Sequence, residues 1–216
     1  MSTGTPDRTT FDAAMAGAPV IAIVRLPEAS SAAPVASALH RGGIRLIEVT
    51  LTTAGALDAV TTMREAGLDG LSVGVGSVRT AGDARRSIDA GAEYLVTPTT
   101  NLDVLQAARQ AGLPVVCGGL TPTELDTAHQ AGSTYVKLFP ASAVGPRYLR
   151  EVLAPMPDLR IIPTGGVGVD TVPQFKAAGA AGVGVGSALV DQHTVAAGDW
   201  SELERRAKAL VSAWHG

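Results

Sequence analysis

Residues 121–141, TPTELDTAHQAGSTYVKLFPA, carry a helical pattern, its stop and a strand in one short run. The helical pattern over 121–131 closes at Gly132, the last letter of QAG. Glycine just past a final turn takes the left-handed conformation that ends a helix without a Cβ penalty. The strand candidate TYVKLF (134–139) follows almost at once. The same punctuation recurs outward from this stretch, as EAG at Gly67, DAG at Gly91, QAG at Gly112 and AAG at Gly179. The glycines are spaced 24, 21 and 20 residues apart, then 47 across two units, the lengths of compact strand–helix modules.

Short β-branched runs alternate with alanine-rich helical runs along the rest of the chain. Strand candidates stand at 19–25, 44–50, 70–76, 93–98, 114–119, 134–139, 159–166 and 181–187. Helical candidates lie near 29–41, 54–66, 80–90, 101–111, 121–131, 146–154 and 170–178. Eight modules without a linker predict an α/β fold, a (β/α)8 TIM barrel. The alternative is an open doubly wound sheet, which would leave edge strands. A last helix from Trp200 to Trp214 carries Leu203, Ala207, Leu210 and Trp214 at three- and four-residue steps, a packing stripe.

The composition sets bounds. The 216 residues suit a single barrel, and 46% hydrophobic residues supply a sizeable core, built from aliphatics because aromatics contribute only 4%. A net charge of −3 with no basic patch points away from nucleic acid. One cysteine, Cys117, excludes an intrachain disulfide framework and is expected to pack as a small hydrophobe. No apolar run approaches 18 residues, so no membrane span is expected. The opening MSTGTPDRTT is polar and lacks a following apolar stretch, which predicts a flexible segment over 1–10 before a barrel at 11–216, and a cytoplasmic protein.

Lys137 stands in an apolar strand, and lysine is almost never fully buried unless paired or neutral. It could snorkel from a strand end or guard an edge strand. In a barrel, two-residue alternation sends it inward, opposite Val136 and Leu138. The same alternation turns Glu48, in LIEVT, inward from the second strand. A structural ion pair is one explanation, but desolvation cancels much of its attraction. Chemistry is the other. A buried amine attacks a carbonyl to form a Schiff base, and a nearby carboxylate carries the protons. Lys176 and Lys208 fall in helical patterns, where a solvent-facing ammonium is expected.

Glycines end the last two strands, Gly165–Gly166 in PTGGV and Gly186–Ser187 in GVGS. Bare amides in such turns can surround an anion, and the loops after strands 7 and 8 are the usual phosphate site of barrels. The GVGS at 74–77 lacks the rest of a nucleotide fingerprint. Thr50, Thr52, Ser77, Thr97, Pro98 and Thr164 also stand at predicted strand ends, where hydroxyls could orient a keto-acid or simply cap turns. None of the four histidines shows ligand spacing with another, so no metal is inferred.

The ordered set GIRLIEVTLTT, GVGSV, GAEYLVTP, YVKLFPAS, PTGGV and VGVGSAL resembles the 2-keto-3-deoxy-6-phosphogluconate (KDPG) / 4-hydroxy-2-oxoglutarate (KHG) aldolase family. The resemblance runs from about residue 17 to 195. It implies a metal-free class I aldolase on a (β/α)8 barrel, usually a homotrimer, acting on a phosphorylated keto-acid with no cofactor beyond the covalent imine. Carried onto this sequence, the Schiff-base lysine is Lys137 and the acid/base glutamate is Glu48. Substrate contacts fall on Ser77 and Pro98, and phosphate contacts on Gly165, Gly166, Gly186 and Ser187. One position departs from the pattern. Many phosphogluconate-type members hold the substrate carboxylate with an arginine where this chain has Thr52, and a hydroxyl cannot replace a bidentate guanidinium. Arg25, ending strand 1, is the expected replacement, with Arg79 a lesser candidate and Thr164 a further contact. The expected reaction is cleavage of 2-dehydro-3-deoxy-6-phosphogluconate to pyruvate and glyceraldehyde 3-phosphate. The 4-hydroxy-2-oxoglutarate and phosphogalactonate aldolases are the near alternatives, and a phosphate-binding isomerase or a silent relative the distant one.

Overall fold

The computed structural model describes residues 8–25 and 28–216. Eight strands alternate with helices: β1 (Val20–Val24), β2 (Leu46–Thr50), β3 (Ser72–Gly76), β4 (Leu95–Val96), β5 (Val115–Gly119), β6 (Tyr135–Leu138), β7 (Ile161–Pro163) and β8 (Val183–Val185). The strands pair in parallel, in the order β7-β6-β5-β4-β3-β2-β1-β8. A parallel bridge between Thr164 and Gly184 and the Ala181 N–H donating to the Ile161 carbonyl at 2.8 Å bring β7 onto β8. The ring therefore closes, and the open-sheet alternative falls.

The helices are α1 (Arg8–Gly17), α2 (Ala32–Arg41), α3 (Ala56–Glu65), α4 (Ala81–Asp89), α5 (Leu102–Gln110), α6 (Pro122–Gln130), α7 (Gly145–Leu153), α8 (Val172–Ala177), α9 (Gln192–Ala196) and α10 (Trp200–His215). The five glycines expected to end helices all take positive φ, between +60° and +99°. The start of α6 is as well defined as its end. Thr121 Oγ1 accepts from the Glu124 N–H, and Glu124 accepts from the Thr121 N–H at 2.8 Å, a reciprocal capping box.

Two apolar cores follow from the two faces of the strands. Ile47, Val49, Val136, Leu138, Val183 and Val185 pack outward against the helices, and Cys117 joins them as a buried thiol. Ile21, Leu46, Tyr94, Val96, Tyr135 and Ile162 fill the barrel. Glu48 shares its parity with Leu46, and Lys137 with Tyr135, so both project inward.

The flexible segment expected over 1–10 lies outside the described residues as far as residue 7, and from Arg8 the chain is helical. Helix α1 closes the lower end of the barrel. Phe11 is fully buried, its ring 4.9 Å from Tyr94 and 5.9 Å from Tyr135, centroid to centroid. Its burial contributes on the order of 1.5–3 kcal/mol. With the lower end filled by Phe11, Ala14 and Met15, the strand C-termini form the one open mouth of the ring among the described residues. Among the described residues no helix is long and apolar enough to cross a membrane.

Candidate active site

A cavity of about 340 Å3 opens at the C-terminal ends of the strands. Lys137 and Glu48 both line it, though only 6% and 2% of their surfaces are exposed. Register explains the meeting. Glu48 pairs with Gly74 across β2–β3, and Lys137 pairs with Gly118 across β5–β6, so each charged side chain lies beside a strand position without one. Gly76 leaves the space Glu48 occupies: a Cβ there would fall 1.7 Å from Glu48 Oε1.

Burial pushes the Glu48 carboxyl above its ordinary value, while the charges of Lys137 and Arg25 pull it back. The lysine has a second neighbour, the Phe139 ring, whose centroid lies 5.1 Å from Nζ. Of the three lysines only Lys137 reaches this cavity. Lys208 pairs with Glu204 at 2.6 Å, and Lys176 lies 6.0 Å from the Trp214 ring. The snorkelling and edge-strand explanations of Lys137 therefore fail, because β6 is an inner strand and its lysine is buried.

Arg25, Ser77, Pro98 and Thr164 line the same cavity, as do Gly165, Gly166, Gly186 and Ser187. Ser77 is the one non-glycine at positive φ (60°) among the described residues, a strain on the order of 1 kcal/mol held where β3 meets the cavity. Thr52 stands just behind the wall. Its Oγ1 accepts from Arg25 Nε at 3.2 Å and lies 2.9 Å from Thr50 Oγ1, which does line the cavity. Arg79 is not on the wall; its carbonyl accepts from Asn101 Nδ2.

On the wall of the same cavity the chain turns through Gly165 and Gly166, at φ +93° and +73°. The Ala141 and Ser142 N–H groups donate to the carbonyls of Thr164 and Gly165, at 2.8 and 3.0 Å, which fixes the turn. Among the described residues, the N–H groups of Gly166, Val167 and Ser187 donate to no protein group. A cluster of free amides beside a cation-bearing cavity suits an anion. No group of three or more His, Cys, Asp or Glu among the described residues is arranged to hold a metal ion.

Sequence reasoning missed Phe139 and Gly76. Phe139 was legible from its two-residue offset from Lys137, which places both on one face. The role of Gly76 becomes visible only once Glu48 is built beside it.

The KDPG and KHG aldolase family profile matches residues 11–206. A 2-dehydro-3-deoxy-phosphogluconate aldolase from Treponema pallidum is 35% identical over 85% of this chain and 88% of its own. The KDPG aldolase of Zymomonas mobilis ZM4, solved with 3-phosphoglycerate, superposes with a TM-score of 0.82 at 27% identity, covering 97% of each chain. The Legionella pneumophila KDPG aldolase, solved with pyruvate captured as a covalent carbinolamine, gives 0.83 at 29% identity over 92% of this chain and 96% of that one. With a barrel closed over an inward lysine and glutamate, and likeness along nearly its whole length, the chain belongs to the KDPG and KHG aldolase family.

Proposed function

We propose that this class I aldolase cleaves 2-dehydro-3-deoxy-6-phosphogluconate to pyruvate and glyceraldehyde 3-phosphate, with Lys137 as the imine-forming amine. The observation that carries this is the shared cavity. It gathers a buried lysine, a buried glutamate and a cluster of unpaired amides around one space.

Lys137 Nζ adds to the C2 carbonyl, giving a carbinolamine that loses water to become an iminium ion. Glu48, through a water molecule, takes the proton of the C4 hydroxyl. The C3–C4 bond breaks, its electron pair flowing to the iminium nitrogen, so an enamine forms in place of a free carbanion and the aldehyde leaves. Glu48 returns its proton to C3, and hydrolysis of the resulting imine frees pyruvate and Lys137. Arg25, with Thr52 and Thr50 behind it, holds the C1 carboxylate. Ser77, Pro98 and Thr164 bound the keto-acid, and Gly165, Gly166, Gly186 and Ser187 receive the phosphate. The protein works as a cytoplasmic homotrimer without a metal, in keeping with the family resemblance of its motifs.

Borohydride reduction in the presence of pyruvate is expected to trap one adduct per chain, on Lys137. An adduct elsewhere, or none in an enzyme that turns over, would overturn the assignment. A phosphosugar isomerase on the same barrel would need no imine and would trap nothing. Within the family, the unpaired amides favour a phosphorylated substrate over 4-hydroxy-2-oxoglutarate. A preference of more than about tenfold in kcat/KM for the unphosphorylated acid, or for the phosphogalactonate epimer, would reverse that order.

A further inference from the structure

The turn that carries Ser187 is tied to the last helix by one side chain that never reaches the cavity. Gly186 and Ser187 leave β8, and the Leu189 and Val190 N–H groups both donate back to the Gly186 carbonyl at 2.9 Å. Arg206, half-buried on α10, reaches across to this turn. Its Nη1 donates to the Leu189 carbonyl at 3.4 Å and to Asp191 Oδ2 at 2.5 Å. Its Nε donates to Glu202 Oε1 at 2.8 Å, so the guanidinium is fixed from its own helix as well.

Asp191 is equally committed. Oδ1 accepts from the Thr194 N–H at 3.0 Å and Oδ2 from the Thr194 hydroxyl at 2.6 Å, capping α9. These hydrogen bonds, with that from Arg206, hold its carboxyl well below the ordinary range. Asp191 also borders a second recess, of about 410 Å3, that shares Arg25, Gly186 and Ser187 with the first. The carboxylate therefore stands near the anion site, and its pairing with Arg206 keeps that charge occupied away from an incoming phosphate.

We propose that Arg206 and Asp191 are positioning residues that set the Gly186–Ser187 turn for the phosphate end of the substrate. This rests on the assignment of Gly186 and Ser187 to phosphate binding. A guanidinium bonded to a main-chain carbonyl and to the capping aspartate of the next helix fixes the turn from behind. Without it, Asp191 is an unpaired carboxylate close to the anion, and the turn loses its link to α10. Both changes weaken phosphate binding and leave the Lys137–Glu48 end untouched.

Arg206→Met, Arg206→Lys, Asp191→Asn and Ser187→Ala are compared on 2-dehydro-3-deoxy-6-phosphogluconate and on 4-hydroxy-2-oxoglutarate, with the melting temperature of each. Arg206→Met is expected to raise KM for the phosphorylated substrate about tenfold while kcat stays within about twofold. For 4-hydroxy-2-oxoglutarate, kcat/KM is expected to stay within about twofold. Inhibition by inorganic phosphate should weaken in parallel. Arg206→Lys restores part of the loss, because an ammonium can meet Asp191 but lacks the fork that also reaches Glu202. Asp191→Asn breaks the ion pair but leaves no carboxylate beside the anion, so it is expected to raise the same KM by only about threefold, and it tests the link to the turn should Arg206→Met fail to fold. If Ser187→Ala raises KM selectively for the phosphorylated substrate and the Arg206 and Asp191 variants do not, the positioning role is wrong and the phosphate assignment stands. Equal losses on both substrates would likewise mark the pair as merely structural. If inorganic phosphate does not compete with the phosphorylated substrate in the parent enzyme, the phosphate assignment falls and the positioning role falls with it, whereas a silent Ser187→Ala only shows that the Ser187 N–H, not its hydroxyl, meets the phosphate.

Discussion

Arg25 Nε lies 3.2 Å from Thr52 Oγ1, so the guanidinium that ends β1 leans on the hydroxyl that follows β2. The contact follows from the ring, in which β1 and β2 are paired neighbours with Ile23 opposite Glu48. Where many phosphogluconate-type relatives are expected to carry an arginine, this chain has Thr52, and a cation from the adjacent strand stands against it. A keto-acid carboxylate entering beside Glu48 needs such a cation. Arg25→Met is expected to lower kcat/KM by about 10²-fold, mostly through KM, the scale of a lost charge-assisted contact of about 2–3 kcal/mol. Steady-state kinetics measures it, and unchanged constants would pass carboxylate recognition to the hydroxyls and amides near Ser77 and Thr164.

If positions 25 and 52 serve one carboxylate, Thr52→Arg should partly rescue Arg25→Met, since the two side chains already touch. The double variant is expected to recover about tenfold of the lost kcat/KM. Simple addition of two separate losses would show that Arg25 acts elsewhere.

Much of the fold and of the site is legible in the sequence alone. The glycine punctuation located five helix ends because positive φ is a local demand on one residue, independent of what packs nearby. The two-residue alternation placed Glu48 and Lys137 inside because it holds wherever a strand is regular. Helix α1 was not legible, since RTTFDAAMAG has no long periodic stripe and its position is fixed by Phe11 meeting Tyr94 and Tyr135 from distant strands. The same limit hid Gly76. A glycine that clears space for a carboxylate 28 residues away announces nothing in its own segment.

The acid limb of the pH profile should report Glu48. Burial raises its pKa above 4.5, and Arg25 and Lys137 oppose the rise by favouring the charged form. If Glu48 is the proposed base for the C4 proton it must be ionised, so kcat/KM is expected to fall as pH drops through its folded-state pKa. Removing the Arg25 charge takes away one opposing influence and raises that pKa further. The acidic limb of Arg25→Met is therefore expected at higher pH than that of the parent enzyme. A limb that stays in place or moves down would mean that Arg25 does not act on Glu48.

Gly76→Ala tests the space around the same carboxylate. The added Cβ would overlap Glu48 Oε1, and Glu48 can move only by leaving its place beside the cavity. A displaced base costs turnover while the amine remains, so kcat is expected to fall about 10²-fold. Pyruvate-dependent borohydride trapping at Lys137 should persist, because the pyruvate imine needs only a competent amine. Loss of trapping together with turnover would indicate a collapsed barrel interior, and unchanged kcat would remove Glu48 from proton transfer.

The lower end of the barrel can be tested apart from the chemistry. Phe11 is fully buried against two tyrosine rings and comes from a helix that precedes the first strand. Phe11→Ala removes that plug and leaves a cavity at the foot of the barrel, expected to cost about 3–5 kcal/mol of unfolding free energy. Urea unfolding measures the loss. Lys137 and Glu48 lie at the other end of the ring, so kcat of the folded fraction should stay within about twofold. A loss of stability below about 1 kcal/mol would show that the barrel closes its lower end without α1.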